Sequence, residues 1–181
     1  RTSKEPLFPF MLQLPKNYQP QGQSEQVYRL MEDSYDNLLL SGRAGTGKST
    51  LITYFRQRTE KNLLVLASTG IAALNVQGQT IHSFFAFPFR RMVPNDPDIH
   101  PLKKGSPKQK ALQQLDTIII DEVSMVRADL LDALDESLRI NLKSPEPFGG
   151  LQIILVGDVF QLAPVDRDNE AEPQGLPLTR R

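Results

Sequence analysis

The chain has 181 residues, enough for one ordinary domain and too few for two large ones. Hydrophobic residues make up 39% of the chain and charged residues 23%, and 21 basic side chains balance 21 acidic ones. This composition fits a globular protein and argues against a polybasic tail protein, and the absence of cysteine excludes disulfide scaffolds and cysteine-ligated metal sites. No apolar run approaches the ~20 residues of a membrane helix, and no signal peptide is recognisable, so we expect no membrane partner.

Four short apolar runs predict buried strands, because they are continuous rather than alternating. They are Asn37–Leu40, Leu63–Ala67, Thr117–Ile120 and Gln152–Val156. Helical patterns lie between the runs, at Ser24–Met31 with Ser24 as its cap, at Gly47–Arg58 and at Arg127–Leu142. Strands that alternate with helices predict an α/β fold with a parallel sheet and helices on both faces.

One segment interrupts this regular pattern. Residues 86–110 contain five of the 14 prolines, so they cannot form one regular helix or a central strand. The segment carries six basic residues against two acidic ones, whereas Asp116–Glu136 has seven acidic residues and one arginine. We predict a domain over residues 24–165 with an irregular basic insert at 86–110. An N-terminal extension (1–23) and a polar tail (166–181) flank it, and the start at Arg1 rather than Met suggests a fragment or processed product.

A glycine-rich loop follows the first predicted strand. Residues 42–49, Gly-Arg-Ala-Gly-Thr-Gly-Lys-Ser, match G-x-x-x-x-G-K-[ST] between a strand and a helix. Glycines let successive backbone N–H groups point at one anion, and the helix N-terminus adds its dipole. Lys48 would then reach the β- and γ-phosphates, and the Ser49 hydroxyl would ligate Mg²⁺. The pattern predicts a Mg²⁺–ATP site formed by Gly42, Ala44, Gly45, Thr46, Gly47, Lys48, Ser49 and Thr50.

Two carboxylates end the third predicted strand. Asp121 and Glu122 follow three isoleucines, and the carboxyl ends of strands line the ligand crevice of an open α/β sheet. We expect Asp121 to hold Mg²⁺ through water and Glu122 to act as the general base for the attacking water. On its own an Asp-Glu pair could simply cap the next helix, and its spacing from the phosphate loop favours the catalytic interpretation.

The fourth predicted strand is followed by Gln161. Its amide offers a donor and an acceptor, so it could contact the γ-phosphate or the attacking water, or else face solvent in a turn. A γ-phosphate contact on a movable loop would couple hydrolysis to motion.

Five motifs resemble, in their order along the chain, those of the superfamily 1 DNA helicases. They occupy Gly42–Ser49, Ser68–Asn75 with Gln79–Phe85, Asp121–Asp132, Arg139–Gly150 and Gly157–Val165. The closest resemblance is to the petite-integration-frequency (PIF) branch of superfamily 1B, relatives of the RecD and Dda motors, and it covers about Gln26 to Val165. It implies a RecA-like P-loop domain that couples ATP hydrolysis to movement on single-stranded DNA, with 5′-to-3′ unwinding of duplex or forked DNA.

The resemblance also implies residue roles. Gln26 falls where these helicases read adenine, and Gln161 matches the γ-phosphate sensor, although Ala163 stands where a proline is usual. The implied contacts with single-stranded DNA are Thr69, Gly70, His82, Ser83 and Phe84. Nothing after Val165 resembles the second RecA-like domain or its arginine finger, so we expect the first motor domain alone. Such a protein would be intracellular, cytoplasmic in a bacterium or phage and nuclear or mitochondrial in a eukaryote.

The residues themselves leave alternatives open. Hydroxyl and backbone N–H groups suit phosphate contacts, and His82, Phe84 and Phe85 could stack on unpaired bases, although phenylalanine in an apolar context is more often core. The basic insert could face DNA, split the duplex or be an ordinary solvated loop. For the whole chain, the rival hypotheses are a P-loop ATPase of another branch that acts on proteins, and a nucleotide-gated DNA-binding fragment without turnover of its own.

Overall fold

The computed structural model describes residues 14–43 and 45–158. The strands are β1 (Leu38–Ser41), β2 (Leu63–Ala67), β3 (Gln79–Thr80), β4 (Thr117–Asp121) and β5 (Gln152–Gly157). The helices are α1 (Gln23–Asp33), α2 (Lys48–Arg58), α3 (Gly70–Asn75), α4 (Ile81–Phe85), α5 (Pro107–Leu112) and α6 (Ala128–Leu142). Two 3₁₀ turns lie at Val123–Met125 and Pro147–Gly150.

The strands form one parallel sheet in the order β1-β5-β4-β2-β3. Leu38 of β1 is in register with Ile154 of β5, and Ile153 of β5 with Ile118 of β4. The predicted parallel α/β sheet is therefore confirmed. Because every pair is parallel, the carboxyl ends of the strands meet at one edge, where the phosphate loop and the Asp-Glu pair lie.

Hydrophobic cores cover both faces of the sheet. Ile119 and Ile154 pack on one face with Met31 of α1 and Phe55 of α2, all buried. The opposite face is packed against α4, α6 and the insert, and its fully buried members include Leu66, Ile81, Leu112, Ile118, Ile120, Leu134, Leu138 and Ile153. Burial on both faces explains why the strand sequences are continuously apolar rather than alternating.

All three predicted helix starts differ from the structure by one residue, and α2 begins at Lys48 rather than at Gly47. Helix α1 begins at Gln23 after Gly22, whose φ is +57°, so Ser24 lies inside the first turn and is not the cap. Helix α6 begins at Ala128, with Arg127 as the preceding cap residue. Helix α1 also continues two residues beyond its predicted end at Met31, to Asp33.

Four short elements were not predicted, namely β3, α3, α4 and α5. Each has six residues or fewer, too few for a hydrophobic period to be recognised. Helix α5 falls inside the predicted irregular insert, where Pro107 occupies its first turn and the Ser106 side chain accepts a hydrogen bond from the Gln109 N–H. The described residues contain no helix long and apolar enough to cross a membrane.

The remainder of the insert is irregular, as its prolines predict, but it is firmly attached. Met92 and Ile99 are buried in the core beneath α6. Arg90 forms a bidentate ion pair with the buried carboxylate of Asp96 (2.7 and 2.8 Å) and a further ion pair with Asp98. The guanidinium lowers the pKa of the Asp96 carboxyl far below its ordinary value. The first half of the insert is therefore a structured part of the domain.

Candidate nucleotide and nucleic-acid site

The phosphate loop connects β1 to α2. Gly45 and Gly47 have φ of +80° and +86°, in the region that L side chains rarely adopt, and Gly47 directly precedes α2. A Cβ on Gly42 would lie 3.0 Å from the Thr46 hydroxyl, which itself donates to the Arg43 carbonyl over 2.8 Å. Gly45 and Gly47 are therefore favoured by the backbone conformation of the loop, and Gly42 by its close packing against Thr46. Ala44 lies outside the described residues.

Lys48 occupies the first position of α2 and curls back over the loop. Its ammonium donates to the carbonyls of Gly42 and Arg43, the latter over 2.9 Å. The adjoining Ser49 is exposed and Thr50 half-buried, both in the first helical turn. The loop therefore brings a cation and a hydroxyl to a helix N-terminus, the arrangement that binds phosphate groups.

Asp121 ends β4 at the same sheet edge. Its carboxylate accepts a hydrogen bond from the Glu122 N–H over 2.8 Å. Burial raises the pKa of the Asp121 carboxyl, whereas the charges of Lys48 and Arg56 act to lower it. Lys48, after β1, and Asp121, at the end of β4, therefore lie at the same edge of the sheet although they are far apart in the sequence.

Glu122 immediately precedes the 3₁₀ turn after β4 and has a strained backbone conformation. Its φ of +51° and ψ of +47° are left-handed, which is uncommon for a residue other than glycine, and its side chain is exposed. Strand β5 comes close to this turn, since a Cβ on Gly157 would lie 3.0 Å from the Val123 nitrogen. Gln161, the predicted γ-phosphate sensor, lies outside the described residues.

Arg56 connects the phosphate-loop helix to α3, and sequence reasoning did not identify it. Its guanidinium, half-buried on α2, donates to the Val76 carbonyl at the C-terminus of α3 over 2.6 Å. Burial lowers the pKa of this guanidinium, and Asp121 acts against the shift. No spacing rule marks a lone arginine in a helix, so only the structure identifies this connection.

Gln26 lies exposed on α1, which packs on α2. Tyr54 of α2 makes an edge-to-face contact with Tyr28 of α1, with ring centroids 5.3 Å apart. It makes a second one with Tyr18, which precedes α1, over 5.6 Å. The structure thus places Gln26 on the helix beside α2, and sequence reasoning missed the tyrosine cluster.

The predicted DNA-contacting segments lie side by side. Because Ala67 of β2 is in register with Thr80 of β3, the turns that follow these strands are neighbours. The Thr69 hydroxyl caps α3 by accepting from the Ala72 N–H, and Gly70, next to it, is exposed. The turn after Thr80 carries His82, which is half-buried, and Ser83, which is exposed.

Phe84 is the exception among these residues. It is 4% exposed and belongs to the core, with its ring 4.8 Å from that of Phe85. The assignment of Phe84 to base stacking is therefore wrong, because its ring faces the core. His82 instead stacks on Phe89, with ring centroids 4.6 Å apart and an angle of 13° between the planes. Phe89 is 90% exposed, and its position before two arginines was a signal that sequence reasoning overlooked.

The comparisons with known proteins agree with this geometry. The family model for PIF1-like helicases matches residues 19–175. The ATP-dependent DNA helicase PIF1 of Saccharomyces cerevisiae is 36% identical over 153 residues, which cover 81% of this chain but 17% of that protein. A crystal structure of Bacteroides Pif1 with ADP-AlF3 and single-stranded DNA is 40% identical, with a TM-score of 0.76 over 86% of this chain and 36% of that one. A structure on DNA unwinding at forked duplex DNA by two Pif1 helicases is 42% identical, with a TM-score of 0.74 over 81% of this chain and 35% of that one.

Proposed function

Because this chain belongs to the PIF1-like helicase family, we propose that it is the nucleotide-binding motor domain of an ATP-dependent DNA helicase. Its fold is the RecA-like fold of Pif1 helicase domains. We assign this domain to residues 24–165, with an extension before it and a polar tail after it. The chain spans 17–21% of the first curated relatives, so the activity of the whole protein is part of this proposal.

The observation that carries the proposal is the loop between β1 and α2, where the Lys48 ammonium donates to the carbonyls of Gly42 and Arg43 at the sheet edge that also carries Asp121. Lys48 would exchange its two loop carbonyls for the β- and γ-phosphates of ATP. The backbone N–H groups of the loop and the N-terminus of α2 would hold the same phosphates.

The residues present also fit Mg²⁺. This ion prefers hard oxygen ligands and is usually held by one or two carboxylates together with substrate phosphates. The Ser49 hydroxyl and the Asp121 carboxylate supply that set, and a cation near Asp121 would stabilise the charge that burial disfavours. Bound Mg²⁺ would neutralise charge that develops on the phosphates.

The remaining roles are those that the resemblance to the family implies. Glu122 would accept a proton from the attacking water, Gln161 would sense the γ-phosphate, and Gln26 would contact the adenine. Single-stranded DNA would lie over the neighbouring segments after β2 and β3. The first of these carries Thr69 and Gly70, and the second carries His82 and Ser83. The relative solved with ADP-AlF3 and single-stranded DNA supports the pairing of these two ligands, and the forked-DNA structure supports a duplex substrate.

Two titrations of the chain test the proposal. A fluorescent ATP analogue should bind in the presence of Mg²⁺. Labelled single-stranded DNA, oligo-dT among the strands used, should bind with an affinity that does not depend on its base sequence. Nucleotide binding without DNA binding would favour the protein-remodelling alternative. Failure of both would overturn the proposal, and Lys48→Ala should lose nucleotide affinity while it leaves the thermal unfolding midpoint near that of the parent.

A further inference from the structure

Phe89 is the most exposed large hydrophobic residue among those that the structure describes. One face of its ring lies against His82, almost parallel to it, and the rest of the ring is open to solvent. The other phenylalanine of the insert, Phe87, is buried in the core. The domain therefore supports one aromatic ring from beneath while it leaves the outer face uncovered.

The support beneath the ring is rigid. Arg90, the next residue, is fixed by its ion pairs with Asp96 and Asp98. The Asp96 carboxylate also accepts hydrogen bonds from the backbone N–H groups of Val93 and Asp98, over 3.1 and 3.0 Å. On the other side, Phe87 anchors the chain in the core. A ring held in this way loses little conformational entropy when a ligand stacks on it.

The surroundings of the ring suit a polyanion with flat apolar groups. A groove between the insert and the start of α6 is lined by Arg91, Met92 and Val93 and, across from them, by Arg127 and Asp129, which form an ion pair (2.7 Å). Helix α4, which carries His82, packs against α6, whose start lines the groove, so the groove and the stacked rings adjoin each other. His82 also lies one residue before Ser83, on the surface proposed above to contact DNA. Arginines attract the phosphates of unpaired DNA, while aromatic faces stack on its bases.

We propose that Phe89, supported by His82, is a stacking platform for one unpaired base of single-stranded DNA. The inference rests on the proposed DNA-binding function and adds to it a specific contact from Phe89, which lies in the irregular segment after α4. The base binds the outer face of the Phe89 ring, and the adjoining arginine-lined groove takes the neighbouring phosphates. Because every base has a π-face, the contact is independent of sequence.

The test uses labelled oligo-dT of about 16 nucleotides and an abasic strand of equal length. Phe89→Ala should weaken oligo-dT binding roughly 5- to 150-fold, the effect of one lost base–aromatic stack, and leave binding of the abasic strand unchanged. Tyr35→Ala is the matched control, because Tyr35 is also exposed but precedes β1, at the opposite edge of the sheet. It should bind both strands as the parent does.

A second variant detects the stacking of a base on residue 89 directly. The chain has no tryptophan, so Phe89→Trp introduces a single indole whose fluorescence should be quenched by oligo-dT and not by the abasic strand. The inference is overturned if Phe89→Ala binds oligo-dT like the parent, if it loses both strands equally, or if the indole is unquenched by bound oligo-dT. An unquenched indole with normal binding would indicate that another part of the protein covers the ring. If the parent binds no DNA at all, the proposed function itself fails.

Discussion

Lys48 and Glu122 lie on different elements of one crevice, and we expect their replacement to have different effects. Lys48 would contact the phosphates of bound ATP before and during the reaction, so Lys48→Ala should weaken both ATP affinity and turnover. Glu122→Gln keeps the size of the side chain and leaves Asp121 in place, so it should retain ATP affinity and lose turnover. Nucleotide titration measures the ATP affinity, and phosphate release in the presence of single-stranded DNA measures the turnover. Both are measured on the intact protein, and together they separate the two effects.

The assigned roles would be contradicted by an equal loss of ATP affinity in both variants. Asp121→Asn provides a third comparison. It should lower the Mg²⁺ dependence of nucleotide binding, because it removes a charged oxygen ligand while it preserves shape.

His82 makes stability depend on pH. Burial lowers the pKa of its imidazole, the Arg127 guanidinium lowers it further, and Asp129 opposes the shift. The folded chain therefore binds this proton less readily than the unfolded chain does, and stability rises with pH wherever the unfolded chain holds more protons. The contribution should be complete above the unfolded pKa of about 6.5 and should be lost as the pH falls through it toward the lower folded value.

His82→Phe checks this sign, because it keeps a flat ring against Phe89 and removes the titrating group. Urea unfolding between about pH 8 and pH 5 should show a smaller loss of stability in the variant than in the parent. The same loss in both proteins would assign the pH dependence to other groups.

Side chains at motif positions were predictable only where chemistry leaves few alternatives. Gly47 and Lys48 could be assigned from the sequence because a tight phosphate loop demands their backbone and charge. Phe84 and Phe89 are both phenylalanines in mixed surroundings, and local sequence does not reveal which one faces the core. Their burial, 4% against 90% exposed, depends on how the whole insert packs.

At the scale of elements, Thr80 holds the short helix α4 in place. Its side chain accepts a hydrogen bond from the Ser83 N–H over 3.0 Å, and α4 contributes Phe84 and Phe85 to the core. Thr80→Ala should lower the free energy of unfolding by about 0.5–2 kcal/mol, the usual cost of a lost helix cap. Thr80→Ser keeps the accepting oxygen and should restore most of the loss, as measured by urea denaturation. A loss that serine does not restore would indicate that the threonine methyl group, not the cap, is responsible.

The longer elements could be predicted because the hydrophobic pattern of each one lies within its own sequence. Strand β2, Leu63–Ala67, has the predicted ends, and α2 begins one residue after its predicted start. Strand β3 consists of two polar residues, Gln79 and Thr80, which are a strand only because β2 pairs with them. The connection from Arg56 to Val76 is equally dependent on tertiary packing, so no local pattern could have indicated it.

For the whole molecule, we expect this 181-residue chain to bind Mg²⁺–ATP but to hydrolyse it slowly. No arginine finger is recognisable in its sequence, and in related phosphoryl-transfer enzymes that group contributes roughly 10³–10⁵ in turnover. The solved relatives are about three times as long as the part matched here, which is consistent with a finger supplied from elsewhere. Steady-state phosphate release checks the expectation. Fast release that single-stranded DNA stimulates would show that the chain needs no further catalytic group.

The position of β1 at the edge of the described sheet has a consequence for biosynthesis. Strand β1 pairs with β5, and the Asn37 side chain accepts a hydrogen bond from the Ile153 N–H, 116 positions later in the chain. A ribosome that adds ~5–20 residues per second needs on the order of 6–23 s to make that partner. During that interval the newly made phosphate loop has no neighbouring strand to hold it against the sheet. We therefore expect the proposed nucleotide binding to be acquired late in translation, after β2 and β4 can already have paired, so that a bound nucleotide would mark a nascent chain whose β5 has emerged.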